Sequence, residues 1–311
     1  MAFITLFSTP KPFTDPHIAT IQRNAIKSWT LLQDVDILLI GAESGVEEIA
    51  NEFGVQYLPD VKCSQGGTPL ISSMFQLARE NSSSDLLCII NTDMLLFPDF
   101  LAAARRSSSS IRGHVQLDKF ILLSQRWDLD VTEPIDFSDG WVDRQSSIVK
   151  RQGSLHRPSG SDYFLFPRAC YTKVPDFAIG RAGWDNWMIY KARQEKWPII
   201  DCTPSVMVVH QNHDYRHLPE GKPHYEHPET NENIRLAGGP AAVRYTILDA
   251  TLRLKEGKLV RPAFTRLRFW RKVELFLRRI FFFLPADMVE NIVRPKRWQK
   301  RMQKIIGNRN T

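Results

Sequence analysis

The sequence has few cysteines, and they lack the spacings that give cysteine a chemical role. Cys63, Cys88, Cys170 and Cys202 form no C-x-x-C pair. Most sit among apolar residues, which points to reduced, buried thiols in a reducing compartment. No apolar run approaches the ~20 residues that a membrane-crossing helix needs. The opening stretch MAFITLFSTPKPF has no basic region ahead of its apolar run, and the run is too short for a signal peptide, so a cytoplasmic location is expected. Also missing are G-x-G-x-x-G after the first apolar segment, G-x-x-x-x-G-K-[ST] and G-x-S-x-G. Their absence removes the dinucleotide fingerprint, the phosphate-binding P-loop and the nucleophile elbow from consideration.

The chain of 311 residues is 43% apolar and 24% charged, a globular composition. Its net charge of +7 hides an asymmetry. Residues 258–311 hold 15 Lys and Arg against three acids, whereas residues 1–257 hold 26 against 31. A mildly acidic body, 1–257, and a strongly basic tail, 258–311, are therefore expected.

Along the body, apolar segments alternate with helical patterns. FITLFS, VDILLIG, VQYLP and DLLCII read as strands. Asp15-Pro16 reads as a helix cap, followed by Ile18, Ile21, Ala25, Trp29 and Leu32 at helical spacing. Gly45 to Phe53 reads as a short helix closed by Gly54, and Thr68-Pro69 as the start of another. This order predicts an α/β fold, a mostly parallel twisted sheet with helices on both faces. The strands are uniformly apolar, as strands covered on both faces are. Further on, KFILLSQRWDLD, SDYFLFPR and SVMVVHQNHDY read as strands, AGWDNWMIYKARQEKW as a helix, and Leu218 to Gly239 as a long polar loop.

In parallel sheets, ligands gather beyond the carboxyl ends of the strands. Asn91-Thr92-Asp93 interrupts two apolar runs at such an end. Asp93 is a turn former or a ligand for Mg²⁺ or Mn²⁺. His210 ends the run Val206 to Val209 and suits a transition metal, or it is a surface or capping histidine. His213 would fall on the opposite face of a continuing strand, so at most one of the two is expected to face a site unless the strand stops. Asp128 and Asp130 form a true D-x-D and are the rival metal pair; otherwise they pair with Arg126 or the backbone. Asp185, in Gly183-Trp184-Asp185-Asn186-Trp187, is an N-cap or a general base, with Trp184 beside it as a platform for a sugar ring. Asp162 caps a strand edge or contacts a sugar hydroxyl.

Taken in order, these pieces resemble the GT-A fold of nucleotide-sugar glycosyltransferases of the family 2 type, over roughly residues 1–251. Asn91-Thr92-Asp93 resembles its metal-binding D-x-D, GWDNW the segment that places an acceptor-side carboxylate, and VVHQNHDY the late histidine that completes metal coordination. The wider string RWDLDV, SDYFLFPR, AIGRAGWDNW, VHQNHDY is similar to poorly characterised plant and bacterial glycosyltransferase-like proteins. The resemblance implies a nucleoside-diphosphate-sugar donor, Mn²⁺ or Mg²⁺, and a glycan, lipid or small-molecule acceptor. It gives metal coordination to Asp93 and His210, donor contact to Asn91 and Asp93, substrate contact to Asp162 and Trp184, and the base role to Asp185, with inversion if that base faces the diphosphate across the sugar. Asp36 and Glu43, flanking the second strand, become candidates for nucleoside contact; otherwise they are surface acids. One departure is plain: Asn91 stands where the motif has its first carboxylate, which implies weaker metal binding or none. A non-catalytic sugar- or nucleotide-binding module is the alternative. A nucleotidyltransferase is disfavoured because no glycine-rich basic loop follows the first strand.

In the tail, Leu267, Trp270, Val273, Leu277, Ile280 and Leu284 recur at helical spacing with Arg and Lys between them. This pattern implies an interfacial helix at an anionic membrane surface, or a helix packed on the acidic body. Nucleic acid is not an expected partner, since no nucleic-acid-binding module accompanies the tail.

Overall fold

The computed structural model describes residues 2–114, 118–213 and 227–280. The chain separates into two units, Met1–Arg261 and Pro262–Thr311.

The first unit begins with the expected alternation: β1 (Ile4–Ser8), α1 (Pro16–Thr30), β2 (Val35–Ile40), α2 (Val46–Phe53), β3 (Gln56–Leu58), α3 (Ile71–Glu80) and β4 (Leu86–Ile90). Asp15 caps α1, its Oδ1 accepting from the Ile18 N–H at 2.9 Å with proline next in line. β5 (Met94–Leu96), α4 (Pro98–His114), β6 (Ile121–Leu123), β7 (Trp127–Leu129), α5 (Trp141–Gln152), β8 (Ser154–Leu155) and β9 (Tyr163–Pro167) follow. Then come α6 (Trp184–Gln194), β10 (Ile199–Asp201), β11 (Val208–Gln211), α7 (Pro228–Leu236), β12 (Leu252–Lys255) and β13 (Lys258–Val260).

The main sheet has nine strands in the order β13-β12-β10-β6-β9-β4-β1-β2-β3. β1 pairs in parallel with β2 and β4, β2 with β3, and β10 with β6 and β12, while β9 runs antiparallel between β4 and β6. Alternate residues of each strand feed opposite faces. Leu86, Cys88 and Ile90 of β4 join one core with Trp29 and Ala50; Leu87 and Ile89 join the other with Phe75 and Met188. Helices therefore cover both faces, which explains why these strands are continuously apolar.

A second sheet of four strands, β5-β11-β7-β8, corrects the reading of KFILLSQRWDLD as one strand. That segment is broken at Ser124-Gln125-Arg126: β6 stays in the main sheet and β7 joins the small one. The polar stretch 218–239 is not wholly a loop either, because its last part forms α7, capped by His227 with Pro228 in the first turn. The body also runs past residue 257, since Lys258–Val260 pairs antiparallel with β12.

In the second unit, α8 (Arg266–Ile280) is capped by Thr265, whose hydroxyl accepts from the Arg268 N–H at 3.2 Å. Phe264, Leu267, Trp270 and Phe276 are exposed. No helix among the described residues is long and apolar enough to cross a membrane. Leu284 and the second basic segment from Arg294 lie outside the described residues.

Candidate active site

A cleft of about 440 Å³ opens at the carboxyl ends of β1 and β4. Its wall includes Lys11, Glu43, Asn91, Asp93, Asp162 and His210, and also Arg126, Arg181 and His213. The ends of β1 and β4 are tied together there: Ser8 Oγ donates to the Ile90 carbonyl at 2.5 Å and lies 2.7 Å from Thr92 Oγ1.

Asp93 follows β4 and immediately precedes β5. β11 pairs with β5 so that His210 lies opposite Met94. β11 stops at Gln211. Past the strand end the alternation of faces no longer holds, and His213 lies on the same side as His210. His213 Nε2 lies 3.1 Å from Asp93 Oδ2, and His210 Nε2 lies 3.7 Å from it. One ligand atom from each of Asp93, His210 and His213 falls within 4.8 Å of the others. The strand stops before His213, the condition under which both histidines can face the site. Asp214 to His217 lie outside the described residues.

The chemistry of this set fits a divalent ion. Asp93 Oδ1 is buried and has no hydrogen-bond partner among the described residues, a costly state for a carboxylate oxygen unless a cation takes it. Burial alone would raise the Asp93 pKa; His210, His213 and Lys11 around it outweigh burial and hold the carboxyl well below the usual range. Burial pulls the His210 pKa down against the opposing pull of Asp93, which favours the neutral ring. An ionised carboxylate beside neutral imidazole is the state metal ligation requires. Gln211, missed in the sequence, locks the backbone here: its Nε2 donates to the Asp93 carbonyl at 3.2 Å and to the Ile21 carbonyl at 2.7 Å. Asn24 Nδ2 donates back to Gln211 Oε1 at 3.1 Å.

Asn91 has a different partner. β9 lies antiparallel to β4 with Tyr163 opposite Ile90, so Asp162 arrives beside Asn91. The Asn91 N–H donates to the Asp162 carbonyl at 3.0 Å, and Asn91 Nδ2 donates to Asp162 Oδ1 at 2.9 Å. Arg126 Nη1 holds Asp162 Oδ2 at 2.6 Å while Arg126 Nε donates to Asp128 Oδ1 at 2.9 Å. Asp128 Oδ2 also lies 2.6 Å from His156 Nδ1, and Asn212 Nδ2 donates to Asp130 Oδ1 at 2.7 Å. The rival pair Asp128 and Asp130 is therefore occupied structurally.

Three expected positions fall outside the cleft wall. Asp36 is exposed at the start of β2, opposite Thr5, the end of the sheet away from the cleft; this corrects its placement as a nucleoside contact. Trp184 is 6% exposed and meets the Phe164 ring edge-on at 5.7 Å. Its face belongs to the core, which corrects its reading as a sugar platform. Asp185 lies in the first turn of α6 after Gly183 (φ 111°), where a Cβ would meet Val243 Cγ1 at 3.2 Å. Asp185 does not line the cleft. Burial, partly offset by the Asn186 N–H and reinforced by the charge of Asp162, pushes its pKa up to about 6.

No protein-family profile matches the chain, and no curated protein matches it. Among solved structures it is similar to glucosyl-3-phosphoglycerate synthase from Mycobacterium tuberculosis in complex with Mn²⁺, uridine diphosphate and phosphoglyceric acid. That similarity has 15% identity over 77% of this chain and 80% of that one, with a TM-score of 0.44. The same enzyme with Mg²⁺ and uridine diphosphate also matches at 15% identity, 77% and 80% coverage and a TM-score of 0.44. S. aureus TarS 1–349 in complex with UDP-GlcNAc matches at 8% identity over 42% of this chain and 35% of that one, with a TM-score of 0.30. At these scores the functional reading rests on the site's own geometry.

Proposed function

We propose that the chain is a glycosyltransferase that moves a sugar from a nucleoside-diphosphate donor to an acceptor hydroxyl, assisted by Mn²⁺ or Mg²⁺. One observation carries this reading: the buried, unpartnered Asp93 Oδ1 at the end of β4, with His210 and His213 beside it in the cleft. Asp93, His210 and His213 would hold the ion, and the ion when bound would neutralise charge developing on the leaving diphosphate. Asn91 and Asp162 support the donor side of the cleft, and Glu43 lies in the cleft wall for nucleoside contact. The resemblance gives Asp185 the proton of the attacking hydroxyl, a role that requires the acceptor to reach it beyond the cleft wall, and attack opposite the diphosphate would invert the anomeric centre. The test is a thermal-shift screen of UDP-glucose and UDP-GlcNAc with and without Mn²⁺, followed by assay of nucleotide release. A shift with a nucleotide sugar that Mn²⁺ enlarges supports the reading; no shift with any nucleotide sugar contradicts it.

Asp185 has its own test. A base with a pKa near 6 gives a rate that falls as pH drops through 6. Asp185→Asn is expected to lower kcat about 10²-fold or more and to remove that limb. It should also raise the Tm at neutral pH. The folded pKa lies above the unfolded one, so ionising Asp185 costs stability as pH rises through 4 to 6, and asparagine avoids the cost. A second reading, a non-catalytic sugar- or nucleotide-binding module, is favoured by the absence of Asp185 from the cleft wall. It requires the Asp185→Asn protein to behave as the parent does.

For the tail we propose docking to an anionic membrane surface, supported by the exposed apolar residues and interspersed basic residues of α8. The intact chain is expected to co-sediment with phosphatidylserine vesicles at low salt, and residues 1–261 alone are not. Equal sedimentation of the two rejects this role.

A further inference from the structure

Lys11 is a cation with too few partners. It follows β1 on the loop between Pro10 and Pro12 and lines the cleft. Its backbone is fixed to α1: the Lys11 N–H donates to Gln22 Oε1 at 2.6 Å, and Gln22 Nε2 donates to the Lys11 carbonyl at 2.9 Å. The side chain is thus rooted firmly and free only along its four-carbon stem. An ammonium has three donors. Among the described residues the one atom within hydrogen-bond distance of Lys11 Nζ is His213 Nε2 at 3.1 Å, which also lies 3.1 Å from Asp93 Oδ2 and can serve only one of the two, and Lys11 has no ion pair. Asp93 acts on it only through its field. Two donors remain for whatever enters the cleft.

The local charge balance says what that is. Arg126 spans Asp162 and Asp128, Arg181 is paired with Glu229, and Lys11 faces Asp93 without an ion pair among the described residues. Two carboxylates in this motif would repel a diphosphate until a metal arrived. With an amide at Asn91 and an ammonium at Lys11, this site carries one carboxylate fewer than that motif and a cation that no carboxylate among the described residues binds. His213 Nε2 also has a single lone pair. If a metal takes it, Lys11 loses its partner, and the stem lets the ammonium swing onto phosphate oxygens.

Resting on the nucleotide-sugar reading, we infer that Lys11 is a tethered cation for the leaving diphosphate. It binds a nucleoside diphosphate when no divalent ion is present and shares the charge when one is. The site is then metal-assisted without being metal-dependent for nucleotide binding.

The test is calorimetric titration of UDP into the full chain, in chelator and in Mn²⁺, with Mn²⁺ alone as a second titrant. The parent is expected to bind UDP in chelator, and Lys11→Met to bind it at least about tenfold more weakly there. In Mn²⁺ the loss should be smaller, and Mn²⁺ alone should bind Lys11→Met no more weakly than the parent, because its competitor for His213 is gone. A merely structural lysine would weaken all titrations together, whereas a cation that serves the diphosphate leaves the titration with Mn²⁺ alone intact. Equal UDP affinity of Lys11→Met and parent in chelator overturns the inference. So does a parent that binds UDP only with Mn²⁺. Failure of the parent to bind UDP under either condition overturns the nucleotide-sugar reading, and this inference with it.

Discussion

Asp93→Ala is expected to abolish Mn²⁺ binding and to lower sugar transfer about 10³-fold, the rate equivalent of several kcal/mol of charge stabilisation. The variant removes the anionic ligand and leaves two histidines that bind a hard divalent ion poorly on their own. Asp93→Asn should behave almost as badly, because it keeps the shape and loses the charge. The two variants separate a metal role from a turn-forming role. Asparagine is as good a turn former as aspartate, so a structural Asp93 would tolerate Asp93→Asn. Nucleotide release with titrated Mn²⁺ measures both, and full activity of either variant rejects the assignment.

Asn91→Asp restores the letters of D-x-D and is expected to make the protein worse. Asn91 Nδ2 donates to Asp162 Oδ1 at 2.9 Å. An aspartate there places two carboxylates in contact, and one of them must take up a proton as the chain folds. The folded pKa of that pair rises above the unfolded value. Stability is therefore kept at low pH and lost as pH climbs through the raised pKa. The expected cost at pH 7.5 is about 1–3 kcal/mol, shrinking toward pH 4.5, with no gain in Mn²⁺ affinity. Thermal melts across that pH range, with Mn²⁺ titrations alongside, check both halves. Tighter Mn²⁺ binding at unchanged stability would mean that Asn91 is a degraded metal ligand after all.

The parallel core was legible because burial on both faces forces continuous apolar strands. Asp15, Pro16 and Gly54 marked their helix ends by the chemistry of caps. What stayed hidden depends on contacts between distant segments. β5, β7 and β8 are only two or three residues long, and their pairing in a second sheet has no periodic signature. That sheet nonetheless puts His210 opposite Met94 and so beside Asp93. His213 was set aside on strand alternation, which holds only while a strand continues. Trp184 and Asp36 were misplaced because local composition does not say which way a ring faces or which strand end a charge occupies. Asn91 was read as a missing ligand because Asp162, its partner, lies 71 residues away in sequence. Glu43, Asn91, Asp93, Asp162 and His210 do converge on one cleft.

The central claim is that Asp93, His210 and His213 hold a divalent ion against a nucleoside diphosphate. Anomalous diffraction at the manganese edge, from crystals of the full chain grown with Mn²⁺ and UDP, tests it most directly. The expected result is one strong peak within coordination distance of Asp93 Oδ1 and of a nitrogen of His210 or His213, with the diphosphate on its open side and Lys11 Nζ on a phosphate oxygen. Nucleotide bound elsewhere, or a manganese peak away from Asp93, would contradict the account.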